Sequence, residues 1–121
     1  KRIINLPVSA PFHSPLMAPA KKAMSSLLSE DLLQANEKKV YANISGQEAS
    51  PYKISYLLEQ IDSPVLWLQT MQNLAKENLT QVVEVGPGKV LTNLSRRTFD
   101  PSVSCLTSLD FKELISSLNK N

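Results

Sequence analysis

The chain has 121 residues, of which 42% are hydrophobic and 20% charged, with a formal net charge of +2. Those proportions fit one folded domain with a modest core, exclude a disordered chain, and leave too little charge to argue for nucleic acid as a partner. No apolar run reaches the roughly 18 residues of a membrane-spanning helix, and the single cysteine, Cys105, rules out an internal disulfide and suits a reducing, cytoplasmic setting.

The first residues, KRIINLPVSAPF, are basic, but Asn5 and Pro7 interrupt them before a signal-peptide core could form. Three glycosylation sequons (Asn43, Asn78 and Asn93) therefore read as chance. The chain enters a strand-like run almost at once and without a methionine, so it reads as a piece of something longer.

Arg2 to Ser9 reads as an extended segment, which Pro7 confines to an edge or an end. Ser14 and Pro15 form a helix-start signature, and Met17, Ala20, Met24, Leu27 and Leu28 predict a helix to about Leu33, with Pro19 delaying its regular start by a turn. A strand is predicted at Val40 to Ile44, closed by Gly46. Ile54, Leu57, Leu58 and Ile61 form the stripe of a helix from about Tyr52 to Ile61.

Ser63-Pro64 repeats the cap signature and predicts a helix to about Asn78, with Val65, Leu68, Met71 and Ala75 on its buried side and Trp67 beside them. Gln81 to Val85 reads as a β-branched strand, Gly86-Pro87-Gly88 as a turn, and Lys89 to about Phe99 as a helix. A last strand spans Val103 to Leu109. Asp110 then caps a helix bearing Phe111, Leu114, Ile115 and Leu118 on one face, with Glu113 completing a capping box. Strands alternating with helices imply a parallel sheet covered by helices.

His13, the only histidine, is the first candidate for chemistry. A lone histidine is more often structural or solvated than catalytic, but this one follows a strand-like run and precedes a helix start, where α/β folds carry function. EVGPGKVL, residues 84–91, is the second. It lacks the third glycine of a dinucleotide fingerprint and the spacing of a Walker loop, which leaves either a tight strand-to-helix turn or a turn that lets backbone approach a site. One histidine and one cysteine far apart give no metal cluster. Lys21, Lys22, Lys38, Lys39, Lys89, Arg96 and Arg97 read as solvated faces, or as a basic rim for an acidic partner. No G-x-S-x-G nucleophile elbow occurs.

LPVSAPFHSPLM, ANISG, QIDSPVLWLQTM and VEVGPGKVL, in that order, resemble the C-terminal part of malonyl-CoA:acyl-carrier-protein transacylases, the acyltransferases of fatty-acid and polyketide synthesis. The resemblance runs from about Leu6 to Arg97. It implies an α/β fold: residues 10–121 as the C-terminal portion of an α/β-hydrolase-like acyltransferase core, preceded in residues 1–9 by the last strand of a ferredoxin-like subdomain. It implies transfer of a malonyl group from CoA to the phosphopantetheine thiol of acyl carrier protein through an acyl-serine.

His13 falls on the family's catalytic histidine and Gln60 on the residue whose main-chain carbonyl orients it. Gln60 lies in the last turn of a predicted helix, where carbonyls lack intrahelical partners, so it can accept an Nδ1–H bond. Asn43, Gly86 and Gly88 match positions that line or support the family's site. Phe12 resembles malonyl-selective members, in which a bulky aromatic crowds a 2-methyl group.

The resemblance implies no resident cofactor and no metal. The partners it implies are acyl carrier protein, malonyl-CoA and the upstream part of the same enzyme, with neither nucleic acid nor membrane. The family's nucleophilic serine, oxyanion-hole glutamine and carboxylate-binding arginine lie upstream of the matching stretch. These 121 residues are therefore expected to be inactive alone, and marginally stable because a truncated sheet leaves an open edge. The competing reading is a non-catalytic α/β module that docks an acidic carrier protein through its lysines.

Overall fold

The computed structural model describes residues 3, 8–34, 37–110, 115, 116 and 119. The chain divides into two compact units, Lys1–Trp67 and Leu68–Asn121. Of the strand expected at Arg2 to Ser9, Arg2 and residues 4–7 lie outside the described residues, and Val8 and Ser9 are not in a strand. Phe111 to Leu114 and Leu118 of the last helix also lie outside them, while Ile115 and Ser116 are helical.

In the first unit, Pro15–Met17 forms a 3-10 turn that leads into α1, Ala18–Ser25. Pro19 sits in the first turn of α1, where its missing N–H costs no bond. The helix ends well before Leu33. The Ser25 and Ser26 hydroxyls donate to the carbonyls of Lys22 and Ala23, a local alternative to further helix, and a second 3-10 turn follows at Glu30–Leu32. No α1 residue is fully buried, so its stripe covers surface rather than filling a core.

The strand expected at Val40 to Ile44 is a tight hairpin instead. Its one bridge joins Tyr41 to Glu48. The Gly46 N–H donates to Ala42 O at 2.8 Å, with Gly46 at φ 65°, so ANISG turns the chain before a ladder can grow. Helix α2, Ile54–Asp62, buries Ile54 and half-buries Leu57, Leu58 and Ile61. It packs on α1, with Lys21 Nζ at 2.9 and 3.2 Å from the two Asp62 carboxylate oxygens.

Helix α3, Trp67–Leu74, begins three residues later than Ser63-Pro64 suggests. A residue before proline is pushed to extended backbone, and Ser63 has φ −110° and ψ 150°. Its buried residues are Thr70 and Met71, whereas Leu68 is 56% exposed, so the buried side differs from the predicted one. A 3-10 turn, Ala75–Glu77, closes it at Asn78 in left-handed conformation.

The rest of the second unit is a βαβ arrangement. Strand β1, Gln81–Glu84, pairs in parallel with β2, Ser104–Thr107, in the register Val82 to Cys105 and Glu84 to Thr107. Helix α4, Val90–Thr98, makes the crossover that parallel strands require and packs on both. Its inward residues are Thr92 and Ser95, facing a core that includes Met71, Phe99, Cys105 and Thr107. A core with this many hydroxyls needs partners for them. Thr92 Oγ1 donates to Glu84 Oε2 at 2.7 Å and Thr107 Oγ1 to Gly88 O at 3.3 Å.

The two glycines of the β1–α4 turn differ. Gly86 has φ 154°, a region that side chains rarely adopt, although nothing lies within 4 Å of where a Cβ would stand. A Cβ on Gly88 would make ordinary contacts, at 3.8 Å to Glu84 Oε1 and 4.0 Å to Val90 N. Gly86→Ala is therefore expected to cost about 1–3 kcal/mol through backbone strain, and Gly88→Ala less than about 0.5 kcal/mol. Urea denaturation of both variants checks this, and equal losses would contradict it.

Candidate functional site

His13 sits in a turn between the chain's entry and the 3-10 turn at Pro15. Its φ is 59°, uncommon for a residue with a side chain. Two bonds to the last turn of α2 hold it there. The His13 N–H donates to Ile61 O at 3.3 Å, and His13 Nδ1 lies 2.8 Å from Gln60 O. Both carbonyls belong to the helix end, where no following turn supplies donors.

A carbonyl oxygen only accepts, so the Gln60 contact requires the proton on Nδ1, which in the neutral ring puts the lone pair on Nε2. The residue is exposed. Ser14 does not cap the 3-10 turn with its side chain. Its hydroxyl instead donates to Pro11 O at 2.7 Å, closing the 11–14 turn.

Asn43, at the tip of the hairpin, touches the same helix end. Its Nδ2 donates to Gln60 Oε1 at 3.1 Å, and its carbonyl accepts the Leu66 N–H at 2.9 Å. The structure thus brings together His13, Gln60 and Asn43, with Phe12 beside them in sequence and 57% exposed. A cleft of about 400 Å³, lined by Glu30, Leu33, Gln34, Pro51, Tyr52 and Lys53, does not include His13.

Gly86 and Gly88 belong to the second unit, in the turn between β1 and α4. Three side chains fix that turn. The Gly86 N–H donates to Ser108 Oγ at 3.1 Å, and Thr107 reaches Gly88 O. Glu84, at the end of β1, accepts from the Thr92 hydroxyl at 2.7 Å, the Thr92 N–H at 2.8 Å and the Leu91 N–H at 3.3 Å. Lys89, the formal N-cap of α4, makes no side-chain cap bond, so Glu84 caps the helix from the preceding strand. These bonds, the Thr92 hydroxyl foremost, hold the Glu84 carboxyl below its ordinary value.

No family model matches the chain. Malonyl CoA-acyl carrier protein transacylase of Bacillus subtilis is 37% identical over 100 residues, which cover 80% of this chain and 31% of that protein. The protein of the same name from Escherichia coli K12 is 35% identical over 102 residues, covering 83% of this chain and 33% of that protein. In structure, an acyl-carrier-protein-S-malonyltransferase from Bartonella henselae matches 98% of this chain and 38% of its own with a TM-score of 0.81 at 37% identity. The chain is homologous over most of its length to malonyl-CoA:acyl-carrier-protein transacylases. It spans about a third of the length of the curated relatives it matches. A malonyl-transacylase solved in complex with a type II PKS acyl-carrier protein has a TM-score of 0.79 at 28% identity, covering 96% of this chain and 38% of that one. The α/β class, with parallel strands and covering helices, is that of these acyltransferases.

Several of the basic residues read as solvated faces also have partners within the chain. Lys21 pairs with Asp62, Lys39 with Glu48 at 3.5 Å and Lys89 with Asp110 at 3.4 Å, while Arg96 Nη2 donates to Cys105 O at 3.0 Å. Sequence reasoning passed over Glu84. The available signal was an acidic residue closing a strand eight positions before a threonine in the first turn of the next helix.

Because the folded Glu84 carboxyl titrates below its unfolded value, its contribution to stability is present above the ordinary carboxylate range and is lost as pH falls through the folded value. Glu84→Gln is expected to lower the thermal midpoint at pH 7 and to flatten its decline toward pH 3. An unchanged pH slope in that variant would contradict the capping role.

Proposed function

We propose that this chain supplies the general base of an [acyl-carrier-protein] S-malonyltransferase, with malonyl-CoA as donor and acyl carrier protein as acceptor. The observation that carries the reading is the 2.8 Å contact between His13 Nδ1 and Gln60 O on an exposed residue. It gives the imidazole one tautomer and leaves Nε2 open to an incoming acid proton.

The nucleophile is a serine outside these 121 residues, which hold no G-x-S-x-G. His13 Nε2 takes the serine proton as Oγ attacks the malonyl thioester. Collapse of the tetrahedral adduct breaks the C–S bond, and the imidazolium returns the proton to sulfur as CoA leaves. In the second half the phosphopantetheine thiol gives its proton to Nε2 and attacks the acyl-serine, and the imidazolium reprotonates the departing serine. Throughout, the Gln60 carbonyl holds Nδ1–H, the part that aspartate plays in serine-protease triads, without adding a negative charge. Phe12, beside the base, favours malonyl over its 2-methyl homologue, a discrimination worth about 1–3 kcal/mol.

The test mixes the chain with a separately produced polypeptide carrying a GHSLGE-type elbow and malonyl-CoA, and reads acyl-serine by mass spectrometry. His13→Ala is expected to slow acylation by about 10²–10⁴-fold. Equal acylation with the alanine variant would remove His13 from the chemistry. Binding of the carrier protein by a chain that never supports acylation would favour a docking module.

A further inference from the structure

We infer that Asn43 is a positioning residue for His13, acting through the side chain of Gln60; as a contribution to catalysis this rests on the reading of His13 as the base. Gln60 is used twice. Its main-chain carbonyl meets the imidazole at 2.8 Å, and its side-chain carbonyl accepts from Asn43 Nδ2 at 3.1 Å. Both oxygens hang from one Cα. Fixing the side chain therefore restricts how the peptide can turn, at a helix end where no following turn supplies donors to the carbonyls.

Asn43 is well placed to act as an anchor. It sits at the tip of a hairpin closed by Ala42 N–H to Gln47 O at 3.0 Å, Gly46 N–H to Ala42 O at 2.8 Å and Ala49 N–H to Val40 O at 2.8 Å. Its own carbonyl takes the Leu66 N–H, from the segment just beyond the helix end. Asn43 thus grips both sides of the Ser63-Pro64 break. Its amide nitrogen and its main-chain carbonyl both serve contacts within the chain, and it is only half exposed. Those contacts fit a part in holding the ring.

Alanine at position 43 removes the anchor. Alanine at position 60 keeps the carbonyl that meets His13, favours the helix and removes the side-chain amide that Asn43 holds. The two variants should therefore disturb the ring alike.

The experiment uses the full 121-residue chain labelled with ¹⁵N. His13 is its only histidine, so every imidazole signal has one source. Long-range ¹H–¹⁵N spectra are recorded at a pH where the ring is neutral, with circular dichroism as the check of folding. In the unmodified chain the Nδ1–H tautomer dominates. In Asn43→Ala and in Gln60→Ala that dominance is lost and Nδ1–H exchange with water rises roughly tenfold. The double variant adds nothing further, because the two residues act in series.

Ring spectra unchanged in folded Asn43→Ala would overturn the inference, as would strictly additive effects in the double variant. If Asn43→Ala does not fold, Gln60→Ala carries the test, and an unchanged ring there overturns it equally. Turnover is not the readout. A ring that responds to Asn43→Ala while His13→Ala still supports acylation would retire the proposed function and leave this positioning role standing.

Discussion

A helix that stops short of a proline leaves carbonyls without donors, and here the last turn of α2 places such carbonyls within reach of a histidine. Ser63 is held extended by Pro64, so the main-chain oxygens of Gln60 and Ile61 must be satisfied from elsewhere. His13 meets both, one with its ring and one with its backbone. Asn43 and Lys21 attach the neighbouring side chains, Gln60 and Asp62, to the hairpin and to α1. Three consecutive residues of one helix end thereby organise the first unit, and the left-handed backbone of His13 is supported by those bonds rather than by glycine.

The second unit applies the same economy at a helix start. Lys89 cannot cap α4, and the carboxylate of Glu84 does so from the strand before it. The Gly86-Pro87-Gly88 turn is then enclosed by strand ends, through Glu84 on β1 and Thr107 and Ser108 on and after β2. In both units unsatisfied helix termini, rather than large apolar side chains, recruit the residues that define the local geometry. Among the described residues the buried ones agree, since few are large and several are threonine or serine.

Much of this was legible in the sequence. The β-branched run before Gly86 and the stripe from Ile54 to Ile61 placed β1 and α2, because hydrophobic period is local. What escaped was decided at a distance or by hydroxyls. Helix α1 stops at Ser25, where the Ser25 and Ser26 hydroxyls bond back to carbonyls of the last turn, a contact that no periodicity shows. Val40 to Ile44 has strand composition, but Gly46 turns it into a hairpin. At the site, His13 and Gln60 could be named from motif order. The Asn43 to Gln60 link joins two separate motifs through side chains, and Glu84 joins a strand to a helix across a turn. The Asn43 to Gln60 bond does not follow from residue spacing, and the eight-residue spacing from Glu84 to Thr92 becomes legible only once the turn between them is known.

The end of α2 holds the His13 turn in place. Amide hydrogen exchange measured residue by residue tests it most directly. The His13 amide stands in an exposed turn, yet it should exchange as slowly as the amides within α2, because its bond to Ile61 opens only when that helix end opens. A His13 amide that exchanges at the rate of an unprotected loop would contradict the account.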